Sequence, residues 1–121
     1  MAPRVTSEIF IGALLRTARS GGAFCYVARR GNAQAGAIVI ALADHALGSY
    51  DIYQDAPPTI ADASDGKNAG RHFTLTRTLD GDDALRQFVE SESRFDPDFW
   101  MVEIENWTGP LDGLLTVVDG D

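Results

Sequence analysis

The sequence predicts an α+β fold: a mainly antiparallel sheet of four to six strands with two helices packed on it, in the order α-β-β-β-β-α-β. Three features carry that expectation. Helical periodicity marks residues 7–20 and the stretch after Asp80, β-rich runs parted by turns fill residues 23–54, and strict alternation marks Trp100 to Asn106. A chain of 121 residues suits one domain, 1–121, and its 45% apolar content suffices for a core without disulfides or a structural metal.

Thr6 or Ser7 is placed to cap the first helix, with Glu8 complementing the dipole in its first turn. Phe10, Ile11, Leu14, Leu15 and Ala18 share one helical face, and Gly21-Gly22 ends the run. Ala23–Arg29 reads as the first strand and Gly36–Ala43 as the second. The run Ile38, Val39, Ile40, Leu42 is apolar enough for a central strand covered on both faces. The link Arg30 to Ala35 contains Gly31-Asn32, a good turn, so these two strands are expected to form an antiparallel hairpin.

Ser49–Gln54 forms a third short strand. Residues 55–70 then lose all periodicity around Pro57-Pro58, which predicts a long mobile loop. Alternation resumes from Arg71 to Thr78. Asp80-Gly81-Asp82-Asp83 opens a second helix with Leu85, Phe88 and Val89 on its packed side, and Pro97 forbids its continuation. Trp100, Val102 and Ile104 alternate with Met101, Glu103 and Glu105, and Leu114–Val118 offers a short last strand. Short connections favour sequential antiparallel pairing, with both helices covering one face.

Charge is unevenly placed. The formal net charge is −8, yet residues 1–40 carry +4 and residues 41–121 carry −12. That balance repels phosphate backbones, so no nucleic acid is expected as a partner. A basic strip near the N-terminus leaves room for a small anionic ligand. Cys25 is alone, and one cysteine with two separated histidines cannot build a structural zinc site. The first residues do not read as a signal peptide, and no apolar run reaches the roughly 18 residues of a membrane helix. A cytoplasmic protein without membrane contact, metal or cofactor is expected.

Three groups of residues carry a resemblance. Ser7-Glu8-Ile9, the run Ala28-Arg29-Arg30-Gly31-Asn32 leading to Ala35-Gly36-Ala37-Ile38, and Arg94-Phe95-Asp96-Pro97-Asp98-Phe99-Trp100 leading to Glu103-Ile104-Glu105 resemble an uncharacterised family of small bacterial proteins of alphaproteobacterial type. The family is known as a domain of unknown function, and its members often carry aspartate where this chain has Asn32. The resemblance implies a fold and no activity.

The candidate site residues are Arg29, Arg30, Arg94, Asp96, Asp98, Trp100, Glu103 and Glu105. Arg29 and Arg30 end a strand and point to opposite faces, so at most one serves a given pocket. In Arg94 to Asp98, aspartates flank a proline and Arg94 can fork onto either of them or onto Glu103; a stitched helix-to-strand connector is the favoured reading, because turn residues need no ligand to explain them. Glu103 and Glu105 share one face of a strand, about 7 Å apart given the strand rise. Such a pair can hold a divalent metal or divide acid and base duties, although the solvent side of an amphipathic strand accounts for it more simply. The order helix-β-β-β-helix-β also resembles metal-dependent nucleases of the restriction-enzyme type, but Glu103-Ile104-Glu105 offers no nearby lysine, the only one being Lys67.

No phosphate-binding loop, dinucleotide fingerprint or nucleophile elbow is present. The leading expectation is therefore a noncatalytic binding or interaction module, supported by the charge asymmetry and by Tyr50, Tyr53, Trp100 and Trp107 near strand ends. Two alternatives stand beside it. One is a hydrolase or nuclease-like enzyme using Glu103, Glu105 and Asp98 with a metal, and the other is a subunit pairing with a copy of itself through Leu114–Val118.

Overall fold

The structure, a computed structural model, describes residues 6–56 and 71–118. Helix α1 spans Ser7–Ser20, the residues its periodicity predicts. Thr6 Oγ1 accepts the Ile9 N–H, and the chain leaves through Gly22 at φ +86°, a conformation that suits glycine. Strands β1 (Phe24–Arg29), β2 (Ile38–Asp44), β3 (Ser49–Asp55) and β4 (Phe73–Asp80) follow, then helix α2 (Gly81–Phe95) and strand β5 (Trp100–Glu105). The loop expected at 55–70 falls outside the described residues apart from Asp55, which closes β3, and Ala56. Leu114–Val118 forms no full strand. Phe73 and Val118 donate to Thr116 and Phe73 carbonyls, leaving a single parallel bridge from Val117 to Phe73.

The five strands form one sheet in the order β1-β5-β2-β3-β4. All neighbours are antiparallel except β5 and β2, which run parallel. This corrects the expected hairpin of Ala23–Arg29 with Gly36–Ala43. The two strands flank β5 and never pair, because residues 30–37 carry the chain across a gap one strand wide.

A second correction concerns the helices, which lie on opposite faces. Ile38, Ile40, Trp100, Val102 and Ile104 pack with Ile11, Leu14 and Ala18 of α1, while Val39, Ala41, Ile52 and Met101 pack with Leu85 and Phe88 of α2. The reason is β2 itself, whose consecutive buried residues Ile38, Val39, Ile40 and Ala41 must be covered from both sides. The terminal segment serves the α1 side, where Leu114 and Leu115 are buried.

Two sets of contacts hold the top of the sheet. In the first, Arg71 Nη2 donates to Ser7 Oγ at 2.7 Å and Nη1 donates to Asp55 Oδ1 at 3.3 Å; Ser7 Oγ donates onward to Gly36 O at 2.6 Å, and Asp55 Oδ2 accepts the Ile38 N–H at 2.9 Å. One buried hydroxyl and one guanidinium thus bind the start of α1, the entry to β2 and the end of β3. In the second, Asn32 N–H donates to Asp98 O at 3.0 Å, Trp100 Nε1 to Asn32 O at 2.7 Å, and Trp100 N–H to Ala37 O at 2.8 Å. Gly31 is required there, since a Cβ on it would stand 2.2 Å from Asp98 O.

Ser7→Ala is expected to lower unfolding free energy by about 1–2 kcal/mol through the lost buried hydrogen bonds. Gly31→Ala is expected to cost about 1–3 kcal/mol by forcing apart the backbones at the β5 entry. Urea denaturation of each variant measures both.

Candidate functional site

Register fixes which side chains share a face. Tyr26 stands opposite Glu103 and Phe24 opposite Glu105 on the β1–β5 pair, while Glu103 is flanked by Ala41 on the other side. These residues lie on the α2 face of the sheet, together with Met101. Helix α2 covers the β4, β3 and β2 side of that face and buries Met101 of β5, so the β1 side and the Glu103–Glu105 end of β5 stay open beside it. The result is a groove of about 500 Å³ whose lining includes Tyr26, Tyr50, Asp82, Glu103 and Glu105 together with Arg29, Arg86 and Met101.

The groove is a cluster of carboxylates and phenols. Tyr50 Oη donates to Asp82 Oδ1 at 2.6 Å, and His45 Nε2 lies 3.2 Å from Glu105 Oε1. Partial burial, then the Glu103 carboxylate beside it, pushes the Tyr26 phenol up to about 12. For Tyr50 the bond to Asp82 comes first and partial burial second, again reaching about 12. Glu103, Glu105 and Asp82 act on both rings, which makes the five groups one electrostatic unit. The two cations in the lining have partners of their own, although the Arg29 Nε–H is buried without one among the described residues. Arg29 donates to Pro97 O at 2.7 Å with its guanidinium 4.6 Å from the Phe99 ring, and Arg86 pairs with Asp83 at 2.8 Å.

The sequence-predicted residues therefore part into two sets. Glu103, Glu105 and Arg29 line the groove. On the opposite face Arg30 pairs with Glu8 at 2.6 Å and lies 5.0 Å from the ring of Trp100, which is fully buried. Asp96 Oδ1 accepts the Asp98 N–H at 3.0 Å, and Asp98 offers its backbone carbonyl to Asn32. Arg94 is exposed, and among the described residues it forms no ion pair with Asp96, Asp98 or Glu103. Asp98 precedes β5 while Glu105 ends it, so Glu103, Glu105 and Asp98 do not converge, and the described residues contain no group of three or more acids, histidines or cysteines able to hold a metal. Met101 corrects the expected solvent side of this strand: it is buried under α2 rather than wet.

Sequence reasoning did not single out Tyr26 or Asp82, and noted Tyr50 only as an aromatic near a strand end. Phe24 and Tyr26, two apart in a strand and both exposed, were the available signal. Asp82 could not be found this way, because only the tertiary crossing of α2 brings it to Tyr50.

Comparison with known proteins places the fold. The family model described as "Protein of unknown function (DUF1491)" matches residues 5–110. The chain is similar to a crystal structure of a DUF1491 family protein from Caulobacter crescentus, with 30% identity, a TM-score of 0.72, and coverage of 94% of this chain and 97% of that one. It is also similar to a solution structure of a protein from A. tumefaciens, with 35% identity, a TM-score of 0.78, and coverage of 98% of both chains. No curated protein matches it.

Titration followed by tyrosine-ring NMR is expected to show Tyr26 and Tyr50 ionising near 12 rather than the ordinary 10.0. Both phenols hold their protons more tightly in the folded chain, so their contribution to stability is complete below pH 10.0 and is lost as pH rises toward 12. Asp82→Asn is expected to bring the Tyr50 midpoint back toward 10.0 and to move Tyr26 much less.

Proposed function

We propose that this chain, which belongs to the DUF1491 family, is a noncatalytic interaction module whose groove between β1 and α2 receives a cationic group, an ammonium or guanidinium, presented by a protein partner. The observation that supports the reading most strongly is the convergence of Asp82, Glu103 and Glu105 with the rings of Tyr26 and Tyr50 on the part of the sheet face that α2 leaves open. Aromatic faces and carboxylates together suit a cation, which gains from the ring quadrupole and from charge-assisted hydrogen bonds. An anion would meet three carboxylates against two arginines, one bonded to the Pro97 carbonyl and one paired with Asp83. The chain's net charge of −8 adds long-range attraction for a basic partner.

The enzyme reading draws less support. Its acids stand at opposite ends of β5, and no nucleophile with an adjacent base lines the groove. His45 contacts Glu105, and the groove lining among the described residues holds no serine or cysteine for it to activate.

The proposal is tested by NMR titration with spermidine and with lysine-rich and glutamate-rich peptides. Cationic ligands are expected to shift signals of Tyr26, Tyr50, Glu103 and Glu105, with affinity falling as salt rises. Glu103→Gln with Glu105→Gln is expected to weaken binding about tenfold or more, the loss of charge-assisted bonds. Cationic ligands that shift no groove signal, or that bind the double variant equally well, would overturn the reading.

A further inference from the structure

The edge of the sheet beside this groove is itself an unfilled position. Among the described residues strand β1 pairs only with β5, so one side of its backbone faces outward. Which residues face outward follows from alternation. Trp100 donates its N–H to Ala37 O, toward β2, so Trp100, Val102 and Ile104 address β2 while Met101, Glu103 and Glu105 address β1. Phe24 and Tyr26, opposite Glu105 and Glu103, are thus the bonded positions, and Cys25 and Val27 turn their peptide groups to the outside. The contact of Arg19 Nη2 with Cys25 O at 3.3 Å agrees with this, since a side chain takes up that carbonyl. Among the described residues the Cys25 N–H, the Val27 N–H and the Val27 carbonyl meet no backbone partner.

The side chains along this edge are apolar on the groove side. Phe24 and Tyr26 are 61% and 40% exposed, with ring centroids 6.1 Å apart. A strand laid against β1 would stand about 4.8 Å beyond it, within reach of these rings and, through a long side chain, of Glu103. The acidity of the groove selects among occupants. A second copy of the chain would bring its own Glu103, Glu105 and Asp82 alongside the same charges, whereas a basic strand would neutralise them.

We propose that the partner docks as an extended basic segment that adds a strand to the β1 edge, pairing with Cys25 and Val27 and laying lysine or arginine side chains over Phe24 and Tyr26 toward Glu103 and Glu105. The proposal rests on the cation-binding reading of the groove and names the partner's backbone form. Strand addition supplies affinity through the main chain, and the groove supplies the choice of a basic sequence.

The test uses the full chain and a capped heptapeptide of alternating lysine and valine, compared with the same peptide N-methylated at alternate backbone nitrogens. Binding is expected to slow hydrogen exchange at the Cys25 and Val27 amides, and N-methylation in the register facing β1 is expected to weaken it about tenfold. Val27→Pro removes an outward N–H without breaking an internal bond. It is expected to abolish heptapeptide binding while leaving the spermidine shifts at Tyr26 and Tyr50 intact, and those shifts also show that the variant is folded. Groove shifts from parent and N-methylated peptides alike, without exchange protection at Cys25 and Val27, would overturn strand addition and leave the groove reading standing. No groove response to spermidine or to either peptide would overturn both. Concentration-dependent doubling of mass, abolished by Val27→Pro, would assign the edge to a second copy instead.

Discussion

The structure depends on a gap. Residues 30–37 leave β1, cross the width of one strand and begin β2, and everything that gives the sheet its form follows from what occupies that space. Neighbouring strands lie about 4.8 Å apart, so β1 and β2 are separated by roughly twice that distance and cannot share a single hydrogen bond. Strand β5 enters the gap parallel to β2 and antiparallel to β1, and satisfies the inner edges of both. The bridging turn is shaped around its guest. Asn32 folds its own turn by accepting the Gln34 and Ala35 N–H groups on Oδ1 at 3.0 Å, while its backbone holds Asp98 and the Trp100 indole.

This geometry explains the two most distinctive stretches of the chain as a fitted pair. Ala28 to Asn32 and Arg94 to Trp100 lie far apart in sequence and meet at one end of β5. Arg29 spans to Pro97 and Phe99 on one face, and Arg30 spans to Trp100 and Glu8 on the other. Each guanidinium gains from the aromatic ring it lies near and from one hydrogen bond, Arg29 to the Pro97 carbonyl and Arg30 to the Glu8 carboxylate, while the Arg29 Nε–H stays buried without a partner among the described residues. Arginines that look available for a ligand are in this way drawn into holding the central strand. The carboxylates that no arginine holds lie instead toward the other end of β5, where Glu103 and Glu105 emerge next to Tyr26 and beside α2.

What could be read from the chain alone was what depends on near neighbours. The limits of α1, the caps at Thr6 and Gly22, the α-β-β-β-β-α-β order and the alternation of Trp100 to Glu105 all arise from residues a few positions apart, and each has a local physical signal. Strand partners do not. A glycine turn between two β-rich runs signals a hairpin unless a third strand inserts, and nothing within residues 23–43 announces β5. The face taken by α2 was implied by the doubly apolar pattern of Ile38 to Ala41, which sequential packing on one side cannot satisfy. The groove was half legible. Glu103 and Glu105 stood out as a pair, whereas Asp82 joins them only because a helix crosses the sheet.

The position of β5 also has a consequence for how the chain acquires its structure. The strand that closes the centre of the sheet is the last to appear in chain order, and its pairings with Tyr26 and Ile38 join residues separated by half of the sequence or more. Loop-closure entropy must be met before such contacts give any return, so a topology of this kind has a high contact order and folds more slowly than a meander of equal size. The β2–β3–β4 meander can assemble first from local pairings. Until β5 arrives, the inner edges of β1 and β2 stand open, and the apolar run Ile38 to Ala41 is a strand in search of a neighbour. Folding of this molecule is therefore a race between the proper insertion of one late segment and the pairing of an exposed edge with the wrong one.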